Sequence, residues 1–340
     1  MKKVGMFGGK FLPVHLGHVN AMIIASTMVD ELHIIVSYDE EYEKHYFKKS
    51  HLIPIVYKQR LRWWSQITKD MDYVYVHAIE EKQTGSFVDW EEGARKIKQS
   101  IGAEIDVIFS SEESYSPYFE KLYPLATHEI IDSQRLMVNI SATKIREEGV
   151  YKHWEMIPEE VRPYFVKKVV VVGTESCGKS TLVKNLARIF NTRYVEEYGR
   201  TYYEKFKDCV SVTMKGDYHE IAFEQKYHEK IQAERANKVL FIDTEAIVTQ
   251  YYSELYVNKK QEILTSIAEL QDYDLYLFLE PDVKWVDDGT RAHGEHHVRE
   301  ANNQRLKRML REFKVEFHEI SGSYYDRLEQ SRDLVERIMQ

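Results

Sequence analysis

The run Gly173-Thr-Glu-Ser-Cys-Gly178-Lys179-Ser180 constrains this chain most, because it stands between four consecutive valines, Val169–Val172, and a helix-forming stretch that opens at Lys179. A glycine-rich turn between a buried strand and a helix N-terminus aims backbone N–H groups at an anion, and the helix dipole adds to the attraction. The spacing fits GxxxxGK[ST], in which the lysine reaches β- and γ-phosphates and the hydroxyl supplies an oxygen to Mg²⁺. An accidental match is expected in about one chain of this length in a hundred. The strand before the turn and the helix after it lower that figure further.

Around this turn, short β-rich runs alternate with longer amphipathic stretches, which predicts an α/β fold with parallel sheets. At 340 residues the chain is long enough for two domains of roughly 100 to 200 residues, each with its own core. In the first half, strands are expected at Lys3–Phe7, Leu32–Ser37, Tyr73–Ala78 and Val107–Ser110, with helices at Gly17–Met28, Pro54–Thr68 and Val88–Ile101. In the second half, strands are expected at Lys168–Val172, Arg193–Glu196, Val239–Ile242, Leu275–Leu279 and Glu316–Ile320. Helices there are expected at Lys179–Phe190, Asp217–Asn237, Lys259–Leu270, His296–Phe313 and Ser323–Met339. Pro158 and Pro163 mark the join, so the reading is a domain over 1–150, a linker over 151–166 and a P-loop domain over 167–340.

The longest apolar runs fall far short of the roughly 20 residues that cross a bilayer. The N-terminus enters a strand pattern at once, without the apolar core of a secretion signal. Membrane insertion is therefore not expected, and a cytoplasmic location is. Two cysteines, Cys177 and Cys209, cannot build a disulfide framework and are expected as thiols. A net charge of -8 argues against a nucleic-acid partner, whose binding draws on Lys and Arg neutralising phosphates.

Three further segments of the second half carry chemistry. Glu196-Glu197-Tyr-Gly-Arg200 follows a strand where a phosphate acceptor would arrive. A carboxylate there can take a hydroxyl proton and Arg200 can steady phosphoryl oxygens, although such a cluster also suits a solvated loop. Asp243 ends the strand Phe241-Ile-Asp243, the position of a carboxylate that holds Mg²⁺ through water. Trp285-Val-Asp287-Asp288-Gly289-Thr-Arg291 reads as a lid, with Arg291 entering the γ-phosphate region and the aspartates meeting a ribose diol or capping a turn.

The N-terminal strand leads into Gly8-Gly9-Lys10-Phe11-Leu-Pro-Val-His15-Leu-Gly-His18, an HxGH element at a helix start. Two imidazoles beside backbone donors suit nucleotidyl transfer, where charge builds on an α-phosphate and on departing pyrophosphate. Asn139-Ile-Ser141-Ala-Thr143-Lys-Ile-Arg146 supplies hydroxyls and cations for the triphosphate tail, or else a helix cap with a charged first turn. The first domain is thus expected to be a Rossmann-like HxGH nucleotidyltransferase and the second a P-loop kinase.

With those residues in view, the chain resembles the NadR family of nicotinamide-nucleotide adenylyltransferases and ribosylnicotinamide kinases. The likeness runs from GKFLPVHLGH through ISATKIR, GTESCGKS, EYGR and FIDT to WVDDGTR. It implies that the kinase phosphorylates the 5′-hydroxyl of nicotinamide riboside with ATP, giving NMN and ADP. The first domain then joins NMN to the AMP of a second ATP, giving NAD and pyrophosphate, with Mg²⁺ as cofactor. In that resemblance His15 and His18 stabilise the transferring phosphate, Lys10 assists, and Gly8, Phe11, Ser141, Thr143 and Arg146 bind ATP. Trp90 is a candidate to stack on the nicotinamide of NMN, or a core aromatic. In the kinase, Gly173, Glu175, Ser176, Cys177, Gly178, Lys179, Ser180, Thr181 and Arg291 would hold ATP, and Ser180 and Asp243 the metal. Tyr218 would stack on the riboside base, beside Glu197, Arg200, Asp243, Trp285, Asp287 and Asp288. Glu197 is preferred as the base and Asp243 as the metal's outer partner. Coupling to a riboside transporter and homo-oligomerisation are left open. Some family members carry a helix-turn-helix repressor domain ahead of these two. This chain begins at the first adenylyltransferase strand, so that role is not expected of it.

Overall fold

The structure is a computed structural model that describes residues 2–206, 212–283 and 296–339. Two units emerge, Met1–Arg162 and Pro163–Gln340. The stretch read as a linker is not an extended tether: Trp154, Ile157 and Val161 are buried, and it belongs to the first unit as far as Arg162.

The first unit is a five-stranded parallel sheet in the order β3-β2-β1-β4-β5, built from Val4–Gly9, Glu31–Tyr38, Val74–Glu80, Val107–Ser110 and Thr127–Ile130 in chain order. Every pairing is parallel, with Met6 opposite His33 on one side and opposite Ile108 on the other. Chain order reverses at β1, so a crevice opens beyond its carboxyl end, where α/β sheets bind ligands. Helices α1 (Leu16–Ser26), α2 (Glu40–Phe47), α3 (Tyr57–Ile67), α4 (Phe87–Ile101), α5 (Ser116–Leu122) and α6 (Ala142–Glu148) connect the strands. Helix α4 starts where the Ser86 hydroxyl accepts from Val88 N and stops at Gly102. Its Gly93, Ala94 and Ile97, at helical spacing, are the face it buries, and burying a side chain such as Ile97 contributes about 1.5–3 kcal/mol.

The second unit repeats the plan in the order β10-β9-β6-β8-β7, from Lys167–Val172, Tyr194–Val195, Val239–Asp243, Leu275–Leu279 and His318–Ile320. Val169–Val172 are fully buried, as a central strand covered on both faces requires, which explains a solid apolar run in place of alternation. Helix α7 (Lys179–Ile189) follows the phosphate loop and α8 (Tyr198–Tyr203) follows β7. Later helices span Asp217–Ala233, Ala246–Val257, Glu262–Leu270, His296–Glu312 and Tyr324–Ile338. The register sets Val171 opposite Asp243, so the central strand and the Asp243 carboxylate reach the same sheet edge together.

All nine strands expected from the sequence are present, with shifted ends: the expected Glu316 start moves to His318, for example. Strand β5 and helices α2, α5, α8 and Ala246–Val257 were not anticipated. No helix among the described residues is long and apolar enough to cross a membrane.

Candidate active sites

In the second unit the phosphate loop wraps around its own lysine. Gly173 holds φ 150, and a Cβ there would lie 2.8 Å from both Cys177 Sγ and the Leu279 carbonyl, so only glycine lets the turn seat this close to β9. Gly178, at φ 91, starts α7 in the left-handed region. Lys179 is buried and its Nζ donates to the Gly173 and Thr174 carbonyls at 3.1 Å each. Burial pulls its pKa down, but Cys177, Glu197, Asp243 and Glu175 around it outweigh that and the net shift is upward. The cation is therefore permanent. Cys177 is a core residue whose Sγ donates to the Thr174 carbonyl at 3.0 Å, and burial raises its pKa, so only its backbone faces a phosphate. Thr181 lines a small hollow together with Gly178 of the loop, Tyr324 and Arg327.

Asp243 is the most informative group of this site. It is buried, and burial first, then the nearby Glu197 carboxylate, raises its pKa to about 6, while Lys179 and a hydrogen bond from Ser180 pull the other way. Its Oδ2 has no hydrogen-bond partner. A buried, unpartnered carboxylate oxygen beside the Ser180 hydroxyl is the donor set a hard divalent cation takes.

Beyond the loop a pocket of about 890 Å³ is lined by Glu175, Lys179, Glu197, Arg200, Tyr203, Tyr218, Tyr252 and Tyr256, among others. Tyr218 is buried and its hydroxyl donates to the Tyr252 carbonyl at 3.3 Å, which fixes the ring. Tyr252 and Tyr256 stack at 6.0 Å, and the Tyr256 hydroxyl donates to Glu175. Gln225 ties the acceptor side together: it accepts from Tyr198 N at 2.9 Å and donates to the Asp243 carbonyl at 3.2 Å. Glu197, Tyr218, Lys179 and Arg200 are thus brought to one cavity. Trp285, Asp287, Asp288 and Arg291 lie outside the described residues. Gln225, Tyr252 and Tyr256 went unread, although Tyr252 and Tyr256, four apart, share a helix face.

In the first unit a cleft of about 1520 Å³ opens at the switch point, lined among others by Gly8, Lys10, Phe11, His18, Glu81, Trp90, Ser110, Tyr115 and Arg146. His15 caps α1: its Nδ1 accepts from His18 N at 3.3 Å, while His15 N donates back to His18 Nδ1 at 3.4 Å. The rings stack at 3.6 Å. With both Nδ1 atoms accepting, the neutral tautomer of each imidazole carries its proton on Nε2 as a donor. Neutral is also the state the fold imposes. Burial, helped by Arg135 and Arg146, lowers His15 to about 3, and burial together with His15 holds His18 well below its ordinary value. Phe11, at φ 52, is buried with its ring edge on His18 at 5.0 Å, so it supports the imidazole.

Arg146 Nη1 donates to the Leu12 carbonyl at 2.6 Å and Nη2 to Thr143 Oγ1 at 2.8 Å. Ser141 accepts from Lys144 N at 3.1 Å as the cap of α6. Of the second half-clamp read from the sequence, Arg146 faces the cleft, whereas Ser141 and Thr143 use their hydroxyls to cap α6 and to brace Arg146. Trp90 is half-buried and stacks on Tyr118 at 4.7 Å, with Tyr115 at 5.5 Å, so it forms a rigid aromatic wall of the cleft. Glu81, which the sequence reading missed, lies against α4 where Gly93 leaves it room, and burial raises its pKa.

Known proteins share this plan. A family model described as AAA domain matches residues 168–327. The "Trifunctional NAD biosynthesis/regulator protein NadR" of Salmonella typhimurium (strain LT2) and that of Escherichia coli (strain K12) are each 34% identical over 332 residues, 96% of this chain and 80% of theirs. A crystal structure of NadR protein in complex with NR aligns with TM-score 0.83 and 26% identity, covering 100% of this chain and 96% of that one. One in complex with NAD and AMP-PNP gives TM-score 0.80 and 25% identity over the same shares. Identity at a third of the positions along nearly the whole length, over two nucleotide sites of this kind, makes the chain a member of the NadR family.

Proposed function

We propose that this chain makes NAD from nicotinamide riboside in two ATP-dependent steps, one in each unit. The second unit phosphorylates the riboside to NMN, and the first joins NMN to AMP, releasing pyrophosphate. The observation that carries the substrate is the composition of the second unit's pocket, in which four tyrosines and the carboxylates Glu175 and Glu197 surround the acceptor space. A nicotinamide riboside carries a pyridinium cation, and tyrosine faces with nearby carboxylates are what such a cation seeks.

For the kinase step, the loop amides and Lys179 gather the β- and γ-phosphate oxygens, Lys179 exchanging its two carbonyl partners for them. Glu197 accepts the proton of the riboside 5′-hydroxyl as that oxygen attacks the γ-phosphorus, and ADP leaves. Ser180 and Asp243 are the residues to hold Mg²⁺, which when bound spreads the charge of the phosphoryl oxygens. Tyr218, Tyr252 and Arg200 orient the acceptor.

For the transfer step, the phosphate of NMN is already an anion near neutral pH and needs no general base. It attacks the α-phosphorus of ATP directly. His15 and His18 donate through Nε2–H, and Lys10 and Arg146 supply charge where the pyrophosphate departs. Trp90 stacks on the nicotinamide. We place both steps in the cytoplasm, where ATP is made.

Purified chain with ATP, Mg²⁺ and nicotinamide riboside should yield NMN and then NAD by chromatography. Folded protein that yields neither would refute the proposal.

A further inference from the structure

Two cations of the transfer cleft, Lys10 on the loop after β1 and Arg146 on α6, come from segments far apart in sequence, yet both rest on one short helix. Lys10 Nζ lies 4.6 Å over the ring of Tyr42 and the Arg146 guanidinium 4.7 Å over the ring of Tyr46. Those rings are one turn apart on α2 and stack at 5.9 Å. The helix is capped by Asp39, whose carboxylate accepts from Glu41 N and Tyr42 N at 3.2 Å each and from Gln83 N at 3.1 Å.

A buried ion pair holds this platform to the catalytic loop. Arg60 is fully buried on α3, and its Nη2 donates to both oxygens of Glu43 on α2, at 2.9 and 2.7 Å. Its Nη1 donates to the Lys10 carbonyl at 2.7 Å and to the Ser37 carbonyl, near the end of β2, at 3.3 Å. One guanidinium thereby fixes three bodies: the helix that carries the rings, the strand end and the backbone that carries Lys10. We propose that Arg60 is a positioning residue for adenylyl transfer, acting through Lys10 and fixed in place by Glu43. The inference rests on reading the first unit as an NMN adenylyltransferase.

Energetics favour positioning over stabilisation. Burying two charges costs more solvation than their attraction generally returns, and apolar replacements of such pairs are often neutral or stabilising. Burial indeed works against both charged forms here, raising Glu43 and lowering Arg60 despite their contact. Leucine and methionine would fill the same space. They would not donate to two carbonyls in a fixed fork.

The test is the full-length chain carrying Arg60→Met together with Glu43→Leu, which leaves no unpaired charge. Melting should stay within about 4 °C, the shift that accompanies a change of about 1 kcal/mol. Riboside phosphorylation should be unchanged, and kcat for NMN adenylylation should fall by about tenfold or more, since misplacing a cation by an ångström is enough for that. KM for NMN should stay within about twofold. In a Lys10→Ala background the same two changes should lower kcat by less than about twofold further, because residues that act through one another are not additive. Arg60→Lys, which keeps a charge on Glu43 but loses the fork, should also be slow. The proposal is overturned by full adenylylation in the double variant, by losses that multiply with Lys10→Ala, or by a first unit that no longer folds without the pair. Wild-type protein that makes no NAD from NMN would instead reject the adenylyltransferase reading itself.

Discussion

The two sites solve one problem, holding a polyphosphate, with opposite resting states. In the second unit the charge is permanent and parked: Lys179 sits on two carbonyls with its pKa raised, and Asp243 keeps an unpartnered oxygen beside Ser180. In the first unit the histidines are neutral, stacked and bonded to each other's backbone, with only their Nε2 donors in reserve. A phosphoryl acceptor that must lose a proton calls for a carboxylate close to the transferred phosphate, whereas an acceptor that is already an anion calls for neutral donors that do not compete for it. The neutral state of the histidines follows from that difference in acceptor, and Lys10 and Arg146 carry the positive charge of the first site.

Replacing Lys179 by Ala should have the largest effect. It should remove riboside phosphorylation by about a thousandfold or more, as losing a principal charge on the transferring group does, and leave NMN adenylylation intact in an assay started from NMN. His18→Ala should do the reverse, lowering adenylylation by about a hundredfold to a thousandfold, the range for one lost donor to a developing oxyanion. Asp243→Asn should slow the kinase by about a hundredfold and raise the Mg²⁺ concentration it needs, read from rates across a magnesium series.

How much of this was legible from the sequence depended on the signal each residue carried. The phosphate loop was readable because its backbone conformation demands glycine at Gly173 and Gly178, and the HxGH element because a Cβ at Gly17 would crowd the His15 ring at 3.0 Å. Helix α2 was not, since Glu-Glu-Tyr-Glu-Lys-His-Tyr-Phe has no apolar stripe and its tyrosines serve as platforms for cations. The helix Ala246–Val257 was missed for the converse reason: its residues from Ala246 to Tyr251 are all buried, so no period separates two faces. Strand β5 is a mostly exposed edge strand whose Thr-His-Glu-Ile carries little apolar signal. Ser141 and Thr143 carry two readings in the sequence, phosphate ligands or a helix cap, and in the structure Ser141 Oγ caps α6 while Thr143 Oγ1 accepts from Arg146, which leaves each hydroxyl proton to donate. Arg60 lies too far in sequence from Lys10 for any motif to link them.

Smaller effects sharpen the contrast. Trp90→Ala should raise KM for NMN by about tenfold with little change in kcat, matching the 0.5–1.5 kcal/mol of an aromatic stack. The neutral histidines also predict a pH signature confined to the first unit. His15 is held at about 3 against an ordinary 6.5, so between those values the unfolded chain binds a proton that the fold refuses. Its contribution is intact above pH 6.5 and fades as pH falls toward 3, costing about 1.4 kcal/mol by about pH 5.5. Thermal melting followed by a probe in that unit should show the decline.

Each unit is expected to complete its own reaction. Lys179→Ala and His18→Ala chains should be assayed alone and mixed, starting from nicotinamide riboside. The first alone should give no product, the second NMN without NAD, and the mixture should restore NAD. Loss of both activities in either single variant would contradict that division.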